Sequence, residues 1–293
     1  MARPATLVFA HANGFPAGTY RTLLDEWRAA GWNVLAPPKL GHDPSHPVES
    51  GWRRLRDELI AFIEREAGGA PVQLVGHSLG GYLSLMAASR RPELADGVVL
   101  IDSPVLAGWR AHSVRVVKAT GLIGRVSPGR VSRRRRDHWP SAEDARRHFA
   151  ARHVFARWAP EVLDDYVASG LEPDPERGGV RLAFRREIET RLYNTLPHDL
   201  GMLLHRHPPR CPVAFLGGTQ SVEVRQVGLV ATRAVTRGRI EWIEGTHLFP
   251  MEQPRATARA VLRLLAAPAS PAGADADVAS EPRPEPGRPG RRI

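Results

Sequence analysis

The segment that constrains this chain most is a glycine-flanked turn between a β-type run and a helical pattern. Residues 72–75 form a largely apolar run, Gly76-His77-Ser78-Leu79-Gly80 follows directly, and a helical pattern then continues to about Arg90. A strand, a tight turn and a helix in this order lift the serine hydroxyl above the edge of a sheet. The glycines remove Cβ atoms that would collide in so sharp a turn. The sequence therefore predicts Ser78 as a nucleophile.

The remaining pattern predicts an α/β fold with a mostly parallel sheet of about six strands. Short apolar runs alternate with helical patterns, as expected where crossover helices cover both faces of a parallel sheet. The six predicted strands cover residues 6–10, 32–36, 72–75, 97–101, 212–216 and 239–243. The predicted helices include residues 19–30, 50–67, 222–236 and 254–265.

One long segment interrupts this alternation of strands and helices and divides the predicted core into two parts. Residues 103–210 are polar and arginine-rich, and their pattern indicates several helices without a clear strand. We expect them to form a helical cap inserted after the fourth strand, over the carboxyl edge of a core built from 1–102 and 211–267. Residues 268–293 contain Pro, Ala, Gly, Asp, Glu and Arg but no aromatic residue, a composition that predicts a disordered tail.

Three stretches together resemble the α/β-hydrolase family: His11-Ala12-Asn13-Gly14-Phe15-Pro16, residues 76–81, and Gly245-Thr246-His247-Leu248-Phe249-Pro250. The likeness covers about residues 5–266. Ala12-Asn13 departs from the family's commoner His-Gly-aromatic form. The family's sheet has eight strands, so the six strands predicted here would lack the first two.

The family order of nucleophile, acid and base implies that His247 is the base, because it follows the last strand and precedes the last helix. His42 and His77 are better explained as structural or loop residues. His11 is expected to order its loop through hydrogen bonds and to take no part in the chemistry.

The acid is where the chain departs from the family. The usual Gly-x-x-Asp turn reads Gly218-Thr219-Gln220-Ser221, and serine cannot supply the charge that steadies an imidazolium. Two carboxylates remain candidates. Asp102 directly follows the strand 97–101, a position at which some family members carry the acid, and Glu223 lies two residues beyond the turn. We favour Asp102 and keep Glu223 as the alternative.

The resemblance implies acyl transfer to water, in which Ser78 attacks a carbonyl carbon and His247 takes and returns the proton. The oxyanion would bind the backbone N–H of Leu79 and that of Asn13, with Gly14 as the alternative. A carboxylic ester, thioester or lactone is the favoured substrate. Amide or carbon–carbon bond hydrolysis and a non-catalytic binding protein are the alternatives. A serine nucleophile excludes the chemistry of family members that use a carboxylate, the haloalkane dehalogenases and epoxide hydrolases.

The predicted cap carries aromatic residues that could line a substrate pocket or form the cap's own core: Trp109, Trp139, Phe149, Phe155, Trp158 and Tyr166. Residues 125–157 contain ten arginines and three acidic residues. The run Arg133–Arg136 is typical of a solvated face, and it could also steer anionic acyl substrates toward the site.

Composition limits the classes of partner and cofactor that the chain is expected to bind. The net charge of +10 is carried almost entirely by arginine, and no nucleic-acid-binding signature accompanies it, so nucleic acid is disfavoured as a partner. The single cysteine, Cys211, excludes an internal disulfide, and without an H-E-x-x-H motif we expect no metal and no cofactor. No apolar run reaches the roughly 18 residues of a membrane span, and no secretory signal is recognised. We expect a cytoplasmic enzyme for a small acyl substrate; the sequence leaves its oligomeric state open.

Overall fold

The described part of this computed structural model, residues 4–106, 129–197 and 200–267, contains two sheets. The larger is the predicted parallel sheet, which is confirmed with six strands in the order β2-β1-β3-β4-β8-β9. The smaller is antiparallel, in the order β5-β7-β6. The strands are β1 Thr6–Ala10, β2 Asn33–Leu35, β3 Val72–His77, β4 Ala95–Ile101, β5 His138–Trp139, β6 Leu171–Pro173, β7 Val180–Leu182, β8 Val213–Gly218 and β9 Ile240–Ile243.

The α-helices of the described ranges are numbered in chain order. They are α1 Arg21–Ala29, α2 Arg53–Ala67, α3 Leu79–Arg90, α4 Gly129–Arg134, α5 Ala142–Ala150, α6 Pro160–Gly170, α7 Arg186–Asn194, α8 Leu200–Arg206, α9 Val222–Val227, α10 Val230–Thr236, α11 Phe249–Glu252 and α12 Pro254–Ala266. Short 3-10 helices cover Ala17–Tyr20, Pro92–Leu94 and His153–Phe155. None of the helices in the described ranges is long and apolar enough to cross a bilayer.

Alternating side chains of the large sheet enter two separate cores. On β1, Val8 packs with α2 and α3 on one face, whereas Leu7 and Phe9 pack with α1 and α12 on the other. All three side chains are fully buried, as expected for parallel strands covered on both faces. The indole of Trp27 also donates to the carbonyl of Ala258, 3.1 Å away, and so joins α1 to α12.

The strand order places the predicted site residues at one edge of the sheet. The chain runs outward from β1 to β2 on one side, and through β3, β4, β8 and β9 on the other. Such a switch point opens a crevice at the carboxyl ends of the strands. Ser78 follows β3, Asp102 follows β4 and His247 follows β9, so three separate parts of the chain meet at this edge.

The expectation of a cap without strands is wrong. Residues 103–210 contain β5, β6 and β7, with Trp139 opposite Val180 and Leu171 opposite Leu182. These strands are two or three residues long. An alternating pattern needs about four residues to stand out in a sequence, so strands this short give no periodic signal.

The single helix predicted over 222–236 is also wrong, because the structure has two helices there. Gly228, at φ 75°, follows the last residue of α9, Val227, and α10 begins at Val230. A positive φ is incompatible with a right-handed helix and is readily adopted by glycine. The apolar pattern continues across the break, which is why the sequence suggested one element.

The predicted pocket aromatics of residues 103–210 pack against one another and against the large sheet. Trp139, Phe149, Trp158 and Tyr166 are buried, and the ring centroids of Phe149 and Tyr166 are 5.1 Å apart. All four belong to the core cluster that contains Phe9 of β1, so they extend the core on that face of the sheet. The predicted pocket residue Trp109 and the predicted tail 268–293 lie outside the described residues.

The arginine run is divided between solvent and the interior. Arg133, Arg134 and Arg136 are exposed, as expected for a solvated face. Arg135 instead turns inward, donating from Nη1 to Glu189 over 2.8 Å and from Nη2 to the Tyr166 hydroxyl over 2.8 Å.

Candidate active site

Ser78 occupies a strained turn that the surrounding glycines make possible. Its φ of 53° and ψ of −113° lie outside the regions that a residue with a Cβ normally adopts. A Cβ on Gly76 would overlap the backbone of Gly80, and one on Gly80 would overlap the carbonyl of Ala10. The Ser78 N–H donates to the carbonyl of Ile101 over 3.0 Å, which ties the turn to the adjacent strand.

Two hydrogen bonds connect Ser78, His247 and Asp102, and the one between His247 and Asp102 is short. The distance from Ser78 Oγ to His247 Nε2 is 3.1 Å, and that from His247 Nδ1 to Asp102 Oδ2 is 2.6 Å. An ionised carboxylate only accepts hydrogen bonds, so the neutral imidazole carries its proton on Nδ1. Nε2 is then free to accept the proton of the Ser78 hydroxyl.

The second candidate acid, Glu223, lies farther from the imidazole. Its Oε2 is 3.9 Å from His247 Nδ1, and its side chain is 49% exposed. The Asp102 side chain is fully buried and lies 2.6 Å from the same nitrogen. The geometry therefore favours Asp102 over Glu223 as the partner of His247.

The turn that lacks the family's aspartate contacts Asp102 directly. The Ser221 hydroxyl donates to Asp102 Oδ2 over 2.6 Å, and the Gly218 N–H donates to Oδ1 over 2.8 Å. Sequence reasoning assigned no role to Ser221. The sequence did point to this residue, because Ser221 occupies the position of the aspartate in the family's Gly-x-x-Asp turn.

The surroundings of His247 favour its charged form. Burial lowers the pKa of the imidazole, but the hydrogen bond and the charge of Asp102, together with the charge of Glu223, outweigh burial and raise the pKa above its usual value. A protonated Nε2 cannot accept a proton from Ser78. The site is therefore stabilised for the imidazolium that forms during proton transfer, and its base is neutral only above this raised pKa.

His77 and Tyr20 link three loops around the site, and sequence reasoning did not identify Tyr20. His77 Nε2 lies 2.9 Å from the carbonyl oxygen of His247, so this nitrogen carries the donated proton. Its Nδ1 then accepts from the Tyr20 hydroxyl over 2.7 Å, and that hydroxyl accepts from the Ala12 N–H over 3.2 Å. Burial and the charge of His247 lower the pKa of His77 well below its usual value, which keeps it neutral.

The candidate oxyanion donors follow adjacent strands. Leu79 begins α3 directly after Ser78, while Asn13 and Gly14 lie in the loop after β1, which pairs with β3. His11 orders that loop, accepting from the Leu40 N–H over 2.8 Å and contacting the Ala12 carbonyl through Nδ1 at 2.9 Å. Burial lowers the pKa of His11 to about 4, so it stays neutral.

Helix α7 also reaches this loop. The Asn13 side chain donates to the carbonyl of Glu189 over 3.1 Å, and the Glu189 carboxylate packs against Gly14 so closely that a Cβ there would meet it at 3.2 Å. A bare carboxylate would oppose negative charge developing nearby. Arg135, paired with Glu189 at 2.8 Å, neutralises it.

A group of metal-ligand type coincides with the site. Asp102, Glu223 and His247 place three donor atoms within 4.8 Å of one another, the one such group found among the described residues. The hydrogen bond between His247 and Asp102 already accounts for two of these atoms.

Comparison with known proteins agrees with the fold. The profile of the alpha/beta hydrolase family matches residues 7–260. A solved structure of E-2-(acetamidomethylene)succinate hydrolase superposes with a TM-score of 0.67 at 22% identity, covering 90% of this chain and 92% of that one. Identity this low shows similarity of fold alone.

Curated relatives match over shorter stretches. Monoglyceride lipase of Mus musculus is 33% identical over 132 residues, which are 43% of this chain and 44% of the relative. The lipase LipV of Mycobacterium tuberculosis is 32% identical over 113 residues, 32% of this chain and 43% of that protein. The chain therefore spans under half the length of these relatives.

Proposed function

The chain belongs to the alpha/beta hydrolase family, and from that premise we propose that it is a serine hydrolase that cleaves carboxylic esters through an acyl-enzyme. The observation that carries this proposal is the continuous hydrogen-bonded path from Ser78 Oγ through His247 to Asp102. Nucleophile, base and orienting carboxylate within hydrogen-bond reach form the arrangement that activates a serine. The lipase names of the relatives support an ester as the bond cleaved.

The steps follow from the geometry. Ser78 Oγ attacks the carbonyl carbon while its proton passes to His247 Nε2, and Asp102 stabilises the imidazolium. The oxyanion is held by the N–H of Leu79 and that of Asn13 or Gly14. His247 returns the proton to the leaving alcohol, and the acyl group remains on Ser78. A water then attacks the acyl carbon while its proton passes to His247. The bond from the acyl carbon to Ser78 Oγ breaks, His247 returns the proton to Oγ, and the acid is released.

The residues 103–210 would cover this edge of the sheet as a cap and set substrate choice. Glu189, on α7, supports this role by contact. Its carbonyl accepts from the Asn13 side chain over 3.1 Å, and its carboxylate packs against Gly14, so α7 reaches the loop of the proposed oxyanion donors. We propose a small acyl molecule as substrate; thioesters and lactones fit the same chemistry.

A fluorophosphonate probe tests the proposal, because it labels activated serines covalently. The wild-type protein should be labelled, and Ser78→Ala should not. Ser84→Ala removes another hydroxyl, buried on α3, and should keep the labelling. Folded wild-type protein that resists the probe, or labelling that survives Ser78→Ala, would contradict the assignment. A panel of p-nitrophenyl esters, with matched p-nitroanilides, then separates ester from amide cleavage.

A further inference from the structure

Ser221 lies against the carboxylate that occupies the acid's place in the site. Asp102 Oδ2 has two donors at the same distance, Ser221 Oγ and His247 Nδ1, each 2.6 Å away. The Gly218 N–H contacts the other oxygen, Oδ1, at 2.8 Å. Asp102 is 1% exposed and Ser221 is 1% exposed, so solvent hardly competes for these bonds.

The neighbours of Ser221 determine where its one hydroxyl proton goes. Its oxygen accepts from the Val224 N–H over 3.2 Å, as the N-cap of α9. Two carboxylates could take the proton: Asp102 at 2.6 Å and Glu223 at 3.4 Å. Short bonds from a hydroxyl to a carboxylate are the strong ones, so the proton lies on the bond to Asp102.

This arrangement fixes the carboxylate independently of the histidine. The bond from Gly218 holds Oδ1 and the bond from Ser221 holds Oδ2. Neither donor changes its protonation during the reaction, whereas His247 does. The plane of the carboxylate is therefore already set when His247 becomes charged.

We propose that Ser221 is a positioning residue, which together with the Gly218 N–H holds the Asp102 carboxylate in the orientation that receives the Nδ1 proton of His247. The inference rests on the proposed function, because it assigns Ser221 a role through Asp102 and His247. It also explains why an aspartate is absent at 221: a second carboxylate there would meet Asp102 at hydrogen-bond distance, and like charges that close cannot both stay ionised.

The proposal predicts a direction for the pH profile. The charged and titratable groups that face His247 are Asp102, Glu223 and the imidazole of His77. Without the Ser221 hydroxyl, the Gly218 N–H still keeps Asp102 within reach of His247. The charge of Asp102 has lost one of its donors, so it is less well stabilised and holds the His247 proton more firmly. The pKa of His247 rises further. Because Ser78 needs a neutral base, activity is then lost at a higher pH as the solution is acidified.

The experiment compares Ser221→Ala, Ser221→Thr and the wild type. Ser221→Ala should lower kcat/KM about tenfold through kcat, since bonds to charged groups are the stronger class. The acidic limb should move up by about half a pH unit or more. Ser221→Thr keeps the hydroxyl and should restore both. Glycine is accepted at N-cap positions, so Ser221→Gly takes the place of Ser221→Ala if the alanine variant fails to fold.

A matched control separates capping from positioning. Ser141 is the N-cap of α5 and accepts from the Asp144 N–H over 3.1 Å. This is the same kind of capping bond that Ser221 makes at the start of α9, but it lies in the segment 103–210. Ser141→Ala should cost stability and leave the pH limb unchanged. An equal shift in Ser141→Ala, or an unshifted limb in Ser221→Ala, would overturn the positioning role.

A readout that needs no turnover keeps this test apart from that of the proposed function. NMR titration of the His247 ring should give a higher pKa in Ser221→Ala than in wild type. If wild-type protein neither hydrolyses esters nor labels while this shift is seen, the proposed function fails and the positioning role stands. If wild-type protein is active and the titration of His247 is the same in both, the positioning role is wrong.

Discussion

At the scale of single residues, distance and burial favour Asp102 over Glu223 as the proposed acid. His247 Nδ1 is 2.6 Å from the buried Asp102 and 3.9 Å from Glu223, which is half exposed. Water screens an exposed charge, so Glu223 contributes less to orienting the imidazole. The sequence left both carboxylates open, because the distance between loops that follow different strands depends on the folded sheet.

Replacing each carboxylate by its amide measures this difference. Asp102→Asn should lower kcat/KM by about 10³-fold or more, since loss of the orienting carboxylate leaves the wrong tautomer. Glu223→Gln should lower it less than about tenfold, the effect of an exposed charge. Steady-state kinetics on one p-nitrophenyl ester suffices. A larger loss in Glu223→Gln than in Asp102→Asn would reverse the assignment.

At the scale of elements, the site depends on links between loops that carry no catalytic group. Tyr20, in the 3-10 helix Ala17–Tyr20, joins the Ala12 N–H to His77, and His77 joins the carbonyl of His247. The loop after β1, the turn after β3 and the loop after β9 are thereby held together. A tyrosine about 57 residues from its histidine partner leaves no pattern in a sequence, so this link could not be predicted.

Tyr20→Phe tests the link. It leaves His77 Nδ1 and the Ala12 N–H buried without a partner, and we expect a loss of about 1–3 kcal/mol in the free energy of unfolding. We also expect kcat to fall several-fold, because the loops lose their common anchor. Denaturant unfolding and steady-state kinetics measure the two effects.

Thr236→Val is the control for Tyr20→Phe. It deletes a buried hydroxyl at the end of α10, which leads into the amino end of β9 and so lies at the opposite edge of the sheet. It should destabilise the protein without the loss of kcat. Equal losses of kcat in both variants would show that the effect of Tyr20 is general destabilisation.

The length of a strand determined whether the sequence could predict it. The six-stranded sheet was predictable because runs such as residues 97–101 of β4 are buried on both faces and consist of glycine and apolar residues. The turn at Ser78 was predictable because so sharp a turn needs residues without a Cβ on either side of the serine, and the sequence has glycines there. The strands of the small antiparallel sheet were not, since two or three residues, as in β5 and β7, are too few to show a period.

At the scale of the whole molecule, ion pairs join residues 103–210 to the parallel sheet and its helices. Arg21 contacts Asp165 at 2.6 Å, Arg255 contacts Glu161 at 2.5 Å, and Lys39 contacts Glu172 at 3.3 Å. Each of these acids lies in the segment 160–173, on α6 and β6. These ion pairs therefore tie α6 and β6 to the chain segments around α1, α12 and Lys39.

The exposed arginines carry the prediction that acts over the longest range, electrostatic steering of the substrate. Arg133, Arg134 and Arg136 are exposed, so we expect them to raise the association rate of anionic esters and to leave neutral ones unaffected. Between about 10 mM and 500 mM salt, kcat/KM for an anionic ester should fall several-fold, because screening shortens the reach of these charges. Matched anionic and neutral p-nitrophenyl esters give the comparison.

Replacing the three exposed arginines by glutamine should flatten that salt dependence. Arg135 is kept in this variant because its guanidinium is paired with Glu189. The same salt response for both esters, or an unchanged salt dependence of kcat/KM in the triple variant, would show that these arginines do not steer anionic esters.

The loop that carries His247 is held by its backbone. His77 binds its carbonyl oxygen, and the Glu252 carboxylate accepts from the N–H of Thr246, the preceding residue, over 3.2 Å. Removing the ring in His247→Ala should therefore leave the loop in place, with a ring-sized gap between Ser78 and Asp102. Free imidazole added to the solution could fill that gap and bridge the same two partners. We expect millimolar imidazole to return part of the lost activity to His247→Ala and none to Ser78→Ala, a chemical complementation measured by titrating imidazole at constant pH.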